Sequence, residues 1–400
     1  VMRQKLKNID FTLFIIPILL TGFGAVMIYS ASMVYAPVVM DTTSYHFLKK
    51  QLMWGTMGFI VMCFFTIFPY RHLQRMTKMI VLAMVTLLGG LFFFGKNVNN
   101  SVSWYDLGVM SFQPAEFVKI GLIIYLSSVY AKKQQYIGEF GRAVIPPLIL
   151  TSLILGLILL QPDIGTAAII GLIASLVIAS SGIKGKHIAL LVGVTFAFIL
   201  LAAPQMVTEE RLARFSGAFN PFETPDGDGY HLIQSYVAIG TGGLLGEGLG
   251  QGVQKLGYLP EPHTDFIMAV IAEELGFIGV VIVIGLIGGL VLRGLYISRR
   301  CKDTFGALLA LGISAMIGIQ AFINLGAMSG MLPITGVPLP FVSYGGSSLV
   351  IMMISVGILN NVALTVRVKE EQGTKERQPL PVNNSNQGTS NQLERQGVRS

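Results

Sequence analysis

Long apolar runs recur over nearly the whole chain, and they restrict its fold more than any other feature. Each approaches the about 20 residues that carry a helix across a bilayer. They place spans near 11–31, 52–68, 77–95, 115–131, 144–160, 163–181, 187–203, 266–292, 305–328 and 347–366. The 163–181 run holds Gly and Ser but almost no charge, which suits a short, tightly packed helix. The expected fold is therefore all-α and polytopic, with about ten transmembrane helices. Composition agrees: 12% of residues are charged and 52% hydrophobic, about half the charge of a soluble domain.

Orientation follows from Lys and Arg. With the N-terminus inside, the outer segments keep only Lys49, Lys50, Lys96, Arg211, Arg214 and Lys255, while the inner segments and tail hold nearly all the rest. That asymmetry fits the positive-inside rule, an even span count and cytoplasmic termini. The net charge of +7 is thus mostly topology and attraction to anionic lipid, and does not indicate a nucleic-acid partner. The first run is long enough to span and lacks a small-residue cleavage site, so it reads as a span and not a leader. Cys63 and Cys301 fall in or beside spans with no zinc spacing, and a structural disulfide is not expected.

The chain divides into a short inner N-terminus (1–10), one membrane domain (11–366) and a polar tail (367–400) that reads as disordered. Residues 204–265 form the largest outer segment, between spans 7 and 8. Loops of that length carry function or structure of their own. Tyr230 to Ile239 is apolar enough for a short helix at the membrane surface. GTGGLLGEGLGQG follows at 240–252. Without a preceding strand or a GK[ST] ending, this glycine run is not a nucleotide site. It reads as flexible or tightly turned backbone near lipid headgroups.

Ionisable groups in spans cost on the order of 2.5–3.5 kcal/mol each and are candidates for function. Glu116 and Lys119 share a helix face at the start of the fourth span. They read either as a self-neutralising pair or as the polar wall of a substrate cavity. Asp163, after Gln161-Pro162, suits an N-cap. In LPEPHTDFIMAVIAEELG (259–276), Asp265 enters the eighth span at its outer end, with His263 and Thr264 beside it and Glu273 and Glu274 two turns deeper. Desolvation there raises a carboxylate pKa, as suits a general base; N-capping by Asp265 or Thr264 is the alternative.

These stretches, with GAVMIYSAS (24–32), SFQPAEFVK (111–119), LQPDIGTA (160–167), AIGTGGLLGEGLGQG (238–252) and LPITGVPLPFVSYGGSS (332–348), resemble the motifs of the SEDS family (FtsW, RodA, SpoVE), in that family's order across residues 10–366. The resemblance implies a polymerase of lipid II, a disaccharide-pentapeptide on undecaprenyl pyrophosphate. It would act at the outer face of the bacterial cytoplasmic membrane with a class B penicillin-binding protein and other divisome or elongasome membrane proteins. It also implies that Asp265 is the essential residue and that Glu116 and Lys119 match the family's charged pair. An α-linked donor giving a β-1,4 product inverts, so one carboxylate base suffices. The pyrophosphate leaving group needs positive charge, from Lys119, Arg211, Arg214, Lys50 or a divalent cation such as Mg²⁺ or Mn²⁺. The substrate-binding set is therefore Glu116, Lys119, Arg211, Arg214, His263, Thr264, Lys50 and Asp163.

Three positions depart from the family pattern. Ser103 precedes Trp104 where arginine is frequent, Lys50 replaces another arginine, and His231 stands where Gln is usual. MIYSASM, YLPEPHTDF and the polar tail lean toward the division branch, and so to the septum, with elongation as the alternative. A flippase for the same lipid and a non-catalytic scaffold for the penicillin-binding protein are the rival functions. A flippase predicts charges near the midplane and repeated halves, and neither is visible.

Overall fold

The computed structural model describes residues 8–98, 101–106, 108, 111–193, 216–227 and 229–376. Eight described helices are long and apolar enough to cross a membrane. They are α1 (Phe11–Ser32), α2 (His46–Ile67), α3 (Thr77–Phe94), α4 (Pro114–Lys132), α5 (Ile145–Leu159, entered through a turn at Phe140–Val144), α8 (Ile267–Arg300), α9 (Thr304–Met328) and α10 (Gly346–Glu376). Two shorter helices complete the set used below: α6 (Ile164–Ala179), also apolar, and α7 (Tyr230–Gly242). Residues 185–193 are helical; the remainder of the expected 187–203 span lies outside the described residues, as do Arg211, Arg214 and residues 377–400.

Most helix ends fall within two residues of the apolar boundaries. Three do not. α2 begins six residues early because the polar HFLKKQ turn is helical, α8 runs eight residues past 292, and α10 runs ten residues past 366. VRVKEEQGTKE is rich in strong helix formers, so the helix continues once the apolar stretch ends. Lys96–Val98, Ser101–Asp106 and Ser111–Phe112 (β1–β3) form a small antiparallel sheet between α3 and α4 that the apolar pattern did not anticipate. Cys63 and Cys301 are free.

Burial separates an inner from an outer layer. α4, α9 and α10 are 72–78% buried along their apolar windows, against 28–39% for α1, α2, α3, α5 and α8. The least hydropathic of these eight, α4, is thus among the most enclosed. In lipid, polar side chains turn toward the bundle interior, where partners exist.

Two buried ionic clusters bracket the bundle. At one end Asp10 caps α1 and receives Arg293 Nε (2.9 Å), Arg293 Nη2 (2.7 Å) and Arg367 Nη2 (2.5 Å). At the other, Glu274 meets Lys255 Nζ (2.5 Å) and Ser30 Oγ (2.7 Å). At 1.5 Å per residue, Asp10 to Ser30 along α1 and Arg293 to Glu274 along α8 both measure about 30 Å, the thickness of the hydrocarbon core. Asp265 lies beyond the outer cluster.

Candidate active site

The outer half of α8 is built around a break. Gly276 takes φ 65° and ψ −164°, a backbone state natural to glycine. The glycine run fills the break: Glu247 and Gly248 N–H donate to the Glu273 and Glu274 carbonyls, and Phe277 N–H donates to the Gly243 carbonyl. A Cβ on Gly242 would stand 1.8 Å from the Ala272 carbonyl oxygen, so only glycine allows this approach. The carboxylates complete the fixing. Glu273 accepts from Val253 N (2.7 Å) and Gln254 N (3.1 Å), and Glu274 accepts from Gly250 N (2.9 Å). The segment expected to be flexible or tightly turned is therefore a pinned one. Lys255, counted only for topology, closes the buried pair to Glu274. The paired glutamates inside a span were the visible signal; the partner three residues past the end of the glycine run was not.

Ahead of α8, the turn carrying His263, Thr264 and Asp265 is held by the 332–345 loop. Tyr344 N donates to the His263 carbonyl (2.9 Å), Ser343 Oγ to that of Thr264 (2.6 Å), and Asn324 Nδ2 to that of Asp265 (2.9 Å). Asn324 also donates to the Val337 carbonyl (2.8 Å). The loop in turn rests on α1, where a Cβ at Gly24 would fall 2.6 Å from the Val342 carbonyl oxygen.

Every carbonyl of the turn is thus engaged, while the Asp265 carboxyl makes no hydrogen bond or ion pair among the described residues. Its backbone is fixed and its carboxyl is open. Burial, and secondarily the negative charge of Glu261, pushes its pKa up from 3.8 to about 7. The side chain stays partly accessible, so a proton can leave. A Cβ on Gly336 would lie 3.7 Å from Asp265 Oδ2, so the absence of a side chain there keeps the recess open.

The remaining candidates divide by environment. His263 is buried against Phe47 (ring centroids 4.1 Å), Tyr35 (5.1 Å) and Tyr344 (5.9 Å). Burial holds its pKa down to about 4; it is a neutral packing residue at physiological pH. Thr264 Oγ1 donates to Glu261 (2.9 Å). Lys50 is half-buried on α2 and makes no ion pair among the described residues. Asp163 caps α6 by accepting from Thr166 N (3.0 Å). The first turn of α6 abuts Thr335, next to Gly336.

Glu116 and Lys119 form a closed pair. Lys119 Nζ donates to Glu116 Oε1 (2.8 Å) and to Gln320 Oε1 (2.7 Å), and both charged side chains are at most 5% exposed. Gln320 Nε2 donates to the Pro338 carbonyl (3.0 Å). Gln320 and Asn324, one turn apart on α9, thus connect the charged pair and the Asp265 turn to adjacent carbonyls of one loop. Neither amide stood out in the sequence, because each is a lone polar residue in an apolar run.

Among the described residues no group of three His, Cys, Asp or Glu side chains could cage a metal. Glu261, exposed and close enough for its charge to act on Asp265, supplies one carboxylate, and a hard cation that a pyrophosphate largely coordinates takes one or two.

The FtsW/RodA/SpoVE cell-cycle protein model matches residues 11–368. The chain is 49% identical over 384 residues to a probable peptidoglycan glycosyltransferase FtsW of Bacillus subtilis (strain 168), covering 94% of this chain and 95% of that protein. It is 39% identical to stage V sporulation protein E of the same organism, covering 90% and 99%. Among solved structures it resembles a chain of a peptidoglycan synthase complex that coordinates polymerization and crosslinking (TM-score 0.73, 26% identity, 90% and 98% covered). It also resembles the rod shape determining protein RodA of Thermus thermophilus (TM-score 0.64, 28% identity, 90% and 97% covered).

Proposed function

We propose, on the premise that this chain belongs to the FtsW/RodA/SpoVE family, that Asp265 is the general base of its glycosyl transfer. The chain is a multi-pass protein of the bacterial cytoplasmic membrane and a peptidoglycan glycosyltransferase that polymerises glycan strands. The finer reading has ten spans, with the 204–265 segment outside between the seventh and eighth and both termini in the cytoplasm. The substrate is lipid II, and a class B penicillin-binding protein crosslinks the product. The greater identity to the FtsW relative than to the sporulation protein supports work at the division septum with other divisome proteins.

One observation carries the catalytic reading: an unpaired carboxyl of raised pKa on a fully anchored backbone, beyond the outer ionic cluster. At neutral pH about half of such groups are ionised, which is where a general base works best. Asp265 would take the proton from the acceptor's GlcNAc 4-hydroxyl as that oxygen attacks C1 of the donor's MurNAc. The C1–O bond to undecaprenyl pyrophosphate breaks on the opposite face, and the electron pair leaves with the pyrophosphate. Inversion needs no covalent sugar–enzyme intermediate.

The leaving group needs positive charge. Lys50 is the unpaired candidate among the described cations, and Arg211 and Arg214 belong to the same proposal from the sequence. Glu116 and Lys119 support the site from behind the 332–345 loop, each neutralised by the other. A divalent cation, Mg²⁺ or Mn²⁺, would be held by the pyrophosphate with Glu261 and would neutralise the departing charge. Thr264 would orient Glu261, His263 would pack the turn, and Asp163 would cap the helix that borders it.

The test is polymerisation of purified lipid II by the protein with its class B partner, moenomycin being present to silence unrelated glycosyltransferases. Long glycan strands from the native protein and none from an intact Asp265→Asn complex are expected. Normal polymerisation by Asp265→Asn would end the assignment of the base.

A further inference from the structure

At the end of the bundle opposite Asp265, a cleft of about 90 Å³ opens between α8, α10 and the start of α1. Its polar lining is Asp10, Arg293, Tyr296, Arg300, Arg367 and Glu370. The charges do not balance: three guanidiniums face two carboxylates. Asp10 is 1% exposed and already saturated, since one carboxyl oxygen caps α1 while the other receives both Arg293 and Arg367. Two guanidiniums therefore share one buried carboxylate and leave one positive charge over. Arg300 pairs with Glu370 at 3.2 Å, but both side chains are about half exposed, and such pairs contribute little. Tyr296 lies between half-buried Arg293 and exposed Arg300, its ring 5.0 Å from the guanidinium carbons of both.

The position adds what the charges alone lack. This cluster sits about 30 Å along α1 and α8 from the outer one, which puts it at the inner headgroup layer. Interfacial tyrosines and basic pockets between helices are the features by which that layer is recognised. We propose that this cleft binds the phosphodiester of an inner-leaflet anionic phospholipid. The phosphate lies between Arg293 and Arg300 beside Tyr296, and supplies the negative charge that the cluster lacks. A guanidinium fork suits a phosphate oxygen pair, and Glu370 competes with the lipid for Arg300.

That competition makes the proposal separable from a general liking of basic surfaces for acidic lipid. The full-length protein would be exchanged into mixed phosphatidylglycerol–phosphatidylcholine nanodiscs of matched chains, and the lipid that stays bound on release measured by native mass spectrometry. One phosphatidylglycerol per protein is expected in preference to phosphatidylcholine. Arg300→Gln should lower its retention about fivefold, the weight of one charge near a lipid surface, and Tyr296→Leu should lower it as well. Glu370→Gln should raise retention about fivefold, an effect with the opposite sign to lost folding. Arg299→Gln removes the same charge outside the cleft and should leave retention unchanged. The proposal fails if Arg299→Gln loses as much as Arg300→Gln, if Glu370→Gln loses lipid, or if both lipids are kept equally. Inorganic phosphate is the remaining arm: displacement of the lipid at millimolar phosphate would make this a soluble-anion site and overturn the lipid assignment, whereas retention supports it.

Discussion

Raising the pKa of Asp265 has a cost in stability that can be measured without any substrate. A carboxyl whose pKa is 3.8 in the unfolded chain and about 7 in the folded one binds its proton more tightly when folded. Folding is thus penalised as pH rises: the penalty is absent below the unfolded pKa, grows between the two values and is complete above about 7. Linkage gives about 2 kcal/mol at pH 5 and about 4 kcal/mol at pH 8 as upper limits. Solvent still reaches the side chain, so about half of each is the realistic figure. Asp265→Asn keeps the shape and removes the ionisation. It should stabilise the protein at pH 8 by about 2 kcal/mol and at pH 5 by about 1 kcal/mol, while abolishing polymerisation. Thermal unfolding of both proteins in the same detergent at pH 5, 6.5 and 8 would show the Asn variant's advantage widening with pH. An advantage that is constant, or one that narrows toward pH 8, would refute the argument that burial has displaced this titration.

Three further outcomes follow from the same geometry. The initial rate of lipid II polymerisation at low substrate should rise about tenfold per pH unit below 7 and level off above it; a profile flat from pH 5.5 to 8 would remove Asp265 as the titrating base. Lys255→Met strands the Glu274 carboxylate and should cost about 3–5 kcal/mol. Hydrogen exchange should accelerate across residues 246–254, and the double variant with Glu274→Gln should recover much of the loss in an unfolding titration. Gly24→Ala places a methyl 2.6 Å from the Val342 carbonyl and should shift the loop that anchors the Asp265 turn, lowering the turnover rate at least tenfold. Native turnover in Gly24→Ala would show that the turn does not depend on that contact.

Much of the architecture was legible because its determinants are local. The length and hydropathy of each run fix a helix within itself, so the spans were readable to within a residue or two at most ends. The candidate base was legible for the same reason: Asp265 stands at the junction of a polar loop and an apolar run, where partial burial is built into the sequence. Asp163 also read correctly as a cap, since capping is settled over three residues.

Partner choice was not legible. Lys255 with Glu274 and Ser30, Arg293 and Arg367 with Asp10, and Lys119 with Gln320 join groups separated by up to 357 residues, and nothing in a hydropathy pattern tells which buried charge finds which. The same limit hid the neutral state of His263, set by rings from three other segments, and the anchoring of the glycine run, whose flexibility in sequence becomes close backbone contact once α8 breaks at Gly276. The amino-acid sequence determined which segments form long apolar helices and which of them a carboxylate precedes. Tertiary structure alone decided which charges are neutralised and which carboxylate is left open, because desolvation and pairing depend on neighbours that only folding brings together.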